Sequence, residues 1–446
     1  MQLQWFKKNN MQDQNKNQNQ NKTPQSVEQD IKNLKKVKIA LLGSYTLNNL
    51  NAPLIAELKN KNLNPEIKLG GYNQFIEELI NPASWLYEFN PDIVLVAISS
   101  RTYLKDLQYK SNEERKQLVQ KKNTDLINAL QSSSLKSKII LTTIDFPSYS
   151  PNNLQDLVSN SSIYELIKEF NNNLISLAKS STQISLLDFE RLCSMHGKLN
   201  VFEEKMFFLG KILLTKKGAE VFSKELKNII SVIYGMTKKC LVVDLDNTLW
   251  GGVIGEDGPE NIQLGEDTSI GQIYSEIQKI ILNWKNSGIL LALVSKNNPE
   301  DALSAFKENK NMVLKENDFI VKKINWNEKS ENIAEIAKEL NLGLDSFVFL
   351  DDNPSERLEV KSRLPEINII DFPEDVSLLP RELKQVTYFN SLNLTEEDKK
   401  RNKFYEQDRD RNILRKKTSL QDYLKTLGIK ISVKKDDLST IERITQ

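Results

Sequence analysis

The sequence predicts an α/β protein made of two doubly wound parallel-sheet domains. Three observations carry that expectation. Short runs rich in Val, Ile and Leu alternate with helical patterns through most of the chain, as parallel β-α-β units require. Three of the later runs end in an acid or a hydroxyl, and parallel sheets gather their ligands at the carboxyl ends of strands. The chain has 446 residues, more than one ordinary domain, so two or three are expected.

Composition narrows the function classes. Charged residues make up 27% and nearly cancel to a net charge of +1, so no basic field points to nucleic acid. Two cysteines, Cys193 and Cys240, exclude a disulfide framework and fit a reducing compartment. No apolar run reaches membrane-spanning length and no signal-peptide core opens the chain, so a soluble, cytoplasmic protein is expected. With one histidine, His196, an HExxH zinc site is impossible.

Residues 1–34 are mostly Asn, Gln, Lys and Asp, too polar to offset their ordering entropy, and read as a disordered tail. The first α/β domain is expected over 35–236. Its strands read as Val37 to Leu42, Asp92 to Ala97, Lys138 to Thr143 and Ile184 to Asp188. Helical patterns follow at Pro53 to Lys59, around 112–131, around 160–179 and from Lys216 to about Met236. Gly43-Ser44, after the first strand, resembles the nucleophile turn of SGNH-type hydrolases. That family keeps its base in Asp-x-x-His before a final helix. The comparable place here, Gly210-Lys211-Ile212-Leu213, has neither residue. His196 is no substitute, because the residue three before it is Cys193. Without a base Ser44 is an ordinary alcohol, and a degenerate SGNH-like domain with a recruiting or scaffold role is expected.

The second domain, expected over 237–390, has four informative parts. Cys240-Leu241-Val242-Val243 reads as a buried strand running into Asp244-Leu245-Asp246-Asn247-Thr248. A period of two points Asp244 and Asp246 the same way while the strand lasts, and two such carboxylates call for Mg2+, a shared proton, or each in turn. An EF-hand loop does not fit, since its fifth and sixth positions would be Thr248 and Leu249. The second part is Ile289 to Ser295, a buried strand ending in a hydroxyl, then Lys296-Asn297-Asn298-Pro299. Lys329 opens a helix to about Leu340, and Phe347-Val348-Phe349-Leu350 is a strand ending in Asp351-Asp352-Asn353-Pro354. Singly, these read as a helix cap, a solvated lysine and a turn. As an ordered set they combine acids for Mg2+, a hydroxyl for phosphoryl oxygens and a lysine to neutralise them, a constellation for phosphoryl transfer.

The four parts resemble motifs I to IV of the haloacid dehalogenase (HAD) superfamily. The resemblance implies that Asp244 is the nucleophile and that Asp246 is the acid and base. It implies that Thr248 orients the motif I acids and joins Ser295 and Lys329 as a phosphate-site residue. Asn297 falls to substrate binding. Mg2+ falls to Asp244, the backbone carbonyl of Asp246, and Asp351, with Asp352 in support. The wording of 244–258, 294–298 and 344–357 is similar to FkbH-like proteins of HAD subfamily IIIC. That family is associated with dephosphorylating 1,3-bisphosphoglycerate and loading the glyceryl unit onto the phosphopantetheine thiol of an acyl carrier protein for polyketide-type assembly. Only about 48 residues separate Asp246 from Ser295, and about 33 separate Ser295 from Lys329, little more than β-α units need. No large cap domain is expected, and the open site suits a carrier arm.

Cys240 lies four residues before Asp244, about 13 Å along a strand. It reads as a small buried hydrophobe rather than a thiol relay. Family members usually continue into an acetyltransferase-like domain. Residues 391–446 are expected to be the helical start of that region, cut short, with a capping-box signal at Leu394-Thr395-Glu396-Glu397-Asp398. Two other readings stay open: a plain HAD phosphatase, and a carrier-protein docking platform without catalysis.

Overall fold

The computed structural model describes residues 34–149, 153–392 and Tyr405. The tail expected over 1–34, except residue 34, and the helix expected from Leu394 lie outside the described residues. The chain divides into two compact units, Met1–Gly235 and Met236–Gln446. Among the described residues no helix is long and apolar enough to cross a membrane.

Among its described residues the first unit holds five strands: β1 (Lys35–Gly43), β2 (Leu63–Leu69), β3 (Ile93–Ala97), β4 (Lys138–Thr142) and β5 (Ile184–Leu187). All pair in parallel in the order β2-β1-β3-β4-β5. Helices α1 (Asn51–Lys59), α2 (Asn112–Ser132), α3 (Ile163–Ser180), α4 (Phe189–His196) and α5 (Lys216–Ile233) are among those connecting or flanking them. The long helices start where their caps dictate. Ser111 and Glu114 form a reciprocal capping box on α2, and the Thr215 hydroxyl accepts from the Gly218 amide on α5. Edge strand β2 has no counterpart in the sequence reading. Its Asn64, Pro65, Glu66 and Lys68 interrupt any apolar run, and Pro65 is tolerable because only β1 pairs with it.

The second unit repeats the architecture with β6 (Cys240–Val243), β7 (Leu290–Ser295), β8 (Val321–Ile324), β9 (Phe347–Leu350) and β10 (Asn368–Ile369). Their order is β10-β9-β6-β7-β8, again all parallel, with β6 central. Relevant helices are α6 (Ser269–Asn286), α7 (Pro299–Glu308), α8 (Lys329–Leu340) and α9 (Pro354–Arg363). Alternation along β6 sends Leu241 and Val243 into one core and Cys240 and Val242 into the other. Covered on both faces, the strand reads as an unbroken apolar run.

Register then places the chemistry. Val243 is level with Leu350 on β9 and Leu293 on β7. Asp244 and Asp351 therefore leave adjacent strands at the same height, and Ser295 ends the strand on the other side.

Candidate active site

The centre of the site is a buried trio. Lys329, the first residue of α8, puts its Nζ 2.8 Å from Asp244 Oδ1 and 2.6 Å from Asp351 Oδ2. All three residues are buried, and Asp351 is sealed off completely. The other oxygen of Asp351 accepts from the Asn353 amide at 2.8 Å, so the turn after β9 fixes that carboxylate. Burial pushes the Asp244 carboxyl up to about 7; Lys329 opposes the rise and Asp351 adds to it. Burial also works against charge on Lys329, but the two carboxylates outweigh it and hold the ammonium above the ordinary lysine range.

Asp352 joins this group. Asp244, Asp351 and Asp352 each offer an oxygen within 4.8 Å of the others. Burial first, then Asp351, lifts the Asp352 carboxyl above its usual range. Three carboxylates against one ammonium leave negative charge in a poorly solvated place. An all-oxygen donor set of that kind fits a hard divalent cation such as Mg2+.

Strand alternation does not extend to Asp246. Strand β6 stops at Val243, before either acid. Asn247 then takes a left-handed φ of 53°, and the chain coils so that Leu249 N donates to Leu245 O at 2.8 Å. The Asp246 carboxylate thus lies outside the set of three and has its own donors. Oδ1 accepts from Trp250 Nε1 at 3.0 Å and from the Ile254 amide at 3.1 Å, and Oδ2 accepts from Asn297 Nδ2 at 2.9 Å. The coil is braced by Gly252, whose φ of 99° favours glycine and whose amide donates to Asn247 Oδ1. The Tyr274 hydroxyl donates to the Asn247 carbonyl at 3.1 Å.

Ser295 and Asn297 are brought together, with Asn297 Nδ2 donating to Ser295 Oγ at 3.1 Å. Thr248 is fully buried; its hydroxyl bonds Asp352 Oδ1 at 3.3 Å and accepts from the Asp352 amide at 3.1 Å. Its place is beneath a motif IV acid, where it braces Asp352.

Three contributors were not singled out in the sequence. Trp250 supplies the indole donor to Asp246. Arg357, one turn into α9, donates from one nitrogen to the Asp351 and Asp352 carbonyls at 2.6 and 2.7 Å. Gln278, on α6 and fully buried, donates to the Leu249 carbonyl at 2.8 Å and accepts from the Val313 and Leu314 amides. Trp250 and Arg357 lie inside the stretches that carry the family likeness, but their partners depend on how the turns coil.

Among the described residues no cap domain is inserted between these parts. After Asp246 the chain makes a short helix at Ile254–Asp257 and a bridge between Gly251 and Gln263 before α6. Between Ser295 and Lys329 it makes only α7, a 3-10 turn and β8.

In the first unit Ser44 is fully buried, 2.6 Å from the Thr102 hydroxyl, and accepts from the Ser99 amide at 3.2 Å. A cavity of about 660 Å³ lies nearby against Ser100, Thr102 and Asp145, and Ser44 does not line it. Cys193 is buried on α4 and Cys240 on β6, and burial pushes both thiols up.

Residues 38–231 match the FkbH N-terminal domain. Among solved structures, the N-terminal part of the protein BF1531 from Bacteroides fragilis, containing a phosphatase domain complexed with Mg, is 30% identical with a TM-score of 0.77. That match covers 83% of this chain and 98% of that one. The lipase Lip_vut3 from a goat rumen metagenome is 13% identical with a TM-score of 0.32, over 43% of this chain and 96% of that one. A mutant of Axe2, an acetyl-xylooligosaccharide esterase from Geobacillus, is 12% identical with a TM-score of 0.31, over 44% and 94%. No curated protein matches the chain. With BF1531 matched at that identity over nearly its whole length, and the FkbH N-terminal domain matched over the first unit, this chain belongs to the FkbH-like family of the HAD superfamily.

Proposed function

We propose that the second unit is a Mg2+-dependent phosphoryl-handling enzyme of the HAD type. In the full reading it removes the 3-phosphate of 1,3-bisphosphoglycerate through Asp244, and the phosphopantetheine thiol of an acyl carrier protein attacks the acyl carbonyl, forming the glyceryl thioester as the 1-phosphate leaves. The observation that carries the phosphoryl chemistry is the buried trio of Asp244, Asp351 and Lys329, with Asp352 beside it. A Mg2+-bound phosphatase domain in BF1531 supports the same chemistry.

The residues divide the work as follows. An oxygen of Asp244 bonds to phosphorus as the bond to the leaving oxygen breaks. Asp246 gives a proton to that oxygen, then takes one from the water that releases phosphate from Asp244. Trp250, Ile254 and Asn297 hold Asp246 in one orientation for both transfers. Ser295, held in place by the Asn297 amide, donates to a phosphoryl oxygen, and Lys329 offsets the charge of nucleophile and phosphate. Asp244 and Asp351, with Asp352 in support, would hold Mg2+, which supplies further neutralisation of the phosphoryl group.

The carrier-protein part rests on the family likeness and on the lack of an inserted cap domain among the described residues. Neither buried cysteine is available as a relay. The test is mass spectrometry of a phosphopantetheinylated carrier protein after incubation with the protein, Mg2+ and 1,3-bisphosphoglycerate. A glyceryl adduct that disappears with Asp244→Asn is expected. Phosphate release without an adduct would reduce the function to a plain phosphatase, and neither signal would overturn both.

A further inference from the structure

Lys296 follows Ser295 at the end of β7, yet its ammonium does not join the buried trio. It lies 2.8 Å from Glu356 Oε1 and 3.5 Å from Glu328 Oε2. Glu328 immediately precedes Lys329 at the N-cap of α8, and Glu356 lies in the first turn of α9, just behind Asp351 and Asp352. Glu359, one turn further along α9, accepts from the Ser330 amide and hydroxyl. One ammonium thus meets carboxylates from both helix starts that frame the site.

The charges there are out of balance. Glu328, Glu356 and Glu359 each offer an oxygen within 4.8 Å of the others. Glu356 Oε2 is buried without a hydrogen-bond partner. Lys296 touches two of the three acids, while Arg363, half exposed, reaches Glu359 at 3.1 Å. The Glu328 contact is long and its side chain 45% exposed, so solvent screens it. Glu356 is only 16% exposed, which makes the 2.8 Å pair the stronger one. Its hydrogen bond is the main reason the Lys296 ammonium is held above the ordinary lysine range.

We infer that Lys296 is a positioning residue. By neutralising Glu356, and Glu328 to a lesser degree, it holds the starts of α8 and α9 together, and with them Lys329 and Asp351. Without that ammonium, like charges face one another across the two helix starts. The strain is relieved by separating them, which draws Lys329 away from Asp351 and disturbs the cation-binding acids. The inference rests on the phosphoryl-transfer reading, where small displacements of the reacting groups are costly.

The experiment compares wild type, Lys296→Met, Lys296→Arg and the double variant Lys296→Met with Glu356→Gln. Two readouts are used: kcat for p-nitrophenyl phosphate at saturating Mg2+, and Mg2+ affinity by calorimetry without substrate. Lys296→Met is expected to lower kcat by about tenfold or more and to weaken Mg2+ binding. Lys296→Arg keeps the charge and recovers both. The double variant also recovers both, because Gln removes the unpaired charge with almost no change in shape. A packing role would not respond to that second change. Full kcat and affinity in Lys296→Met, or a loss that Glu356→Gln fails to relieve, would overturn the inference. A wild type that binds Mg2+ but turns over no phosphate ester would sink the reaction reading instead, while the Mg2+ series still decides the role of Lys296.

Discussion

Replacing Lys329 with Met tests the trio most severely. Methionine matches the length of the lysine stem but carries no charge. In the wild type the ammonium lies 2.8 and 2.6 Å from two carboxylates in a site closed to solvent. Burying the ammonium costs several kcal/mol, so its removal brings a gain. The loss is larger, since Asp244 and Asp351 stay buried and face each other with nothing between them. Removing one member of a buried ion pair costs about 3–5 kcal/mol net. Against a domain stability of about 5–15 kcal/mol, that weakens the second unit severely in the absence of metal. Hydrogen exchange of the peptide spanning β6 reads this unit alone. In chelator, its opening free energy is predicted to fall by about 3–5 kcal/mol in Lys329→Met. A divalent cation can take over the neutralisation, so Mg2+ should restore a larger share of protection in the variant than it adds to wild type. A fall below about 1 kcal/mol, the size of a surface pair, would refute the reasoning.

Other predictions follow from the same geometry. Trp250→Phe removes the donor to Asp246 and leaves a small cavity beside Phe306 in the core; a hydrogen bond to a charged group is worth about 1.5–3 kcal/mol, so kcat should drop roughly tenfold or more in protein that is still folded at the assay temperature, and the thermal midpoint should fall with the lost packing. An unchanged kcat would show that the indole does not orient Asp246. Because burial lifts the Asp244 carboxyl to about 7, a proton and Mg2+ compete for it, and Mg2+ affinity measured by calorimetry should rise from pH 6 to pH 8 and then level off. The same shift has a definite sign for stability. The metal-free fold holds this proton more tightly than the unfolded chain, so its contribution is greatest below the model-peptide value of 3.8 and declines as pH rises toward about 7. Stability in chelator, measured as the difference between wild type and Asp244→Asn, should therefore decline across that window, and a difference that grows would contradict the assignment to Asp244. Cys193 and Cys240 should both resist a thiol reagent in the native protein and react after unfolding in urea; rapid native labelling at Cys240 would reopen a thiol role.

What the sequence made legible depended on burial. Strands β6, β7 and β9 are covered on both faces, so their apolar runs stand out, and the acids and hydroxyl at their ends could be read directly. Strands β2, β8 and β10 were not legible. They are short or half-exposed edges, where Asn64, Glu66, Lys322 and Lys323 break the pattern. The start of α8 at Lys329 was visible, but not the reach of its side chain to two strands at once. Asp246 shows where reasoning from spacing ends. Two residues of alternation cannot foresee that β6 stops at Val243 and that Asn247 turns left-handed, which hands Asp246 to Trp250 and Asn297. The role of Thr248 was read from the resemblance alone, and the coil that brings its hydroxyl to Asp352 was not legible.

The central claim is that Asp244 is phosphorylated during turnover. Asp246→Asn should slow the release of phosphate from Asp244 more than its transfer. The decisive measurement is peptide mass spectrometry of that variant, quenched in acid after mixing with Mg2+ and acetyl phosphate. A phosphoryl group on Asp244, absent when Asp244 is also changed to Asn, is the predicted result. Phosphate release with no label on Asp244, or a label on another residue, would contradict the account.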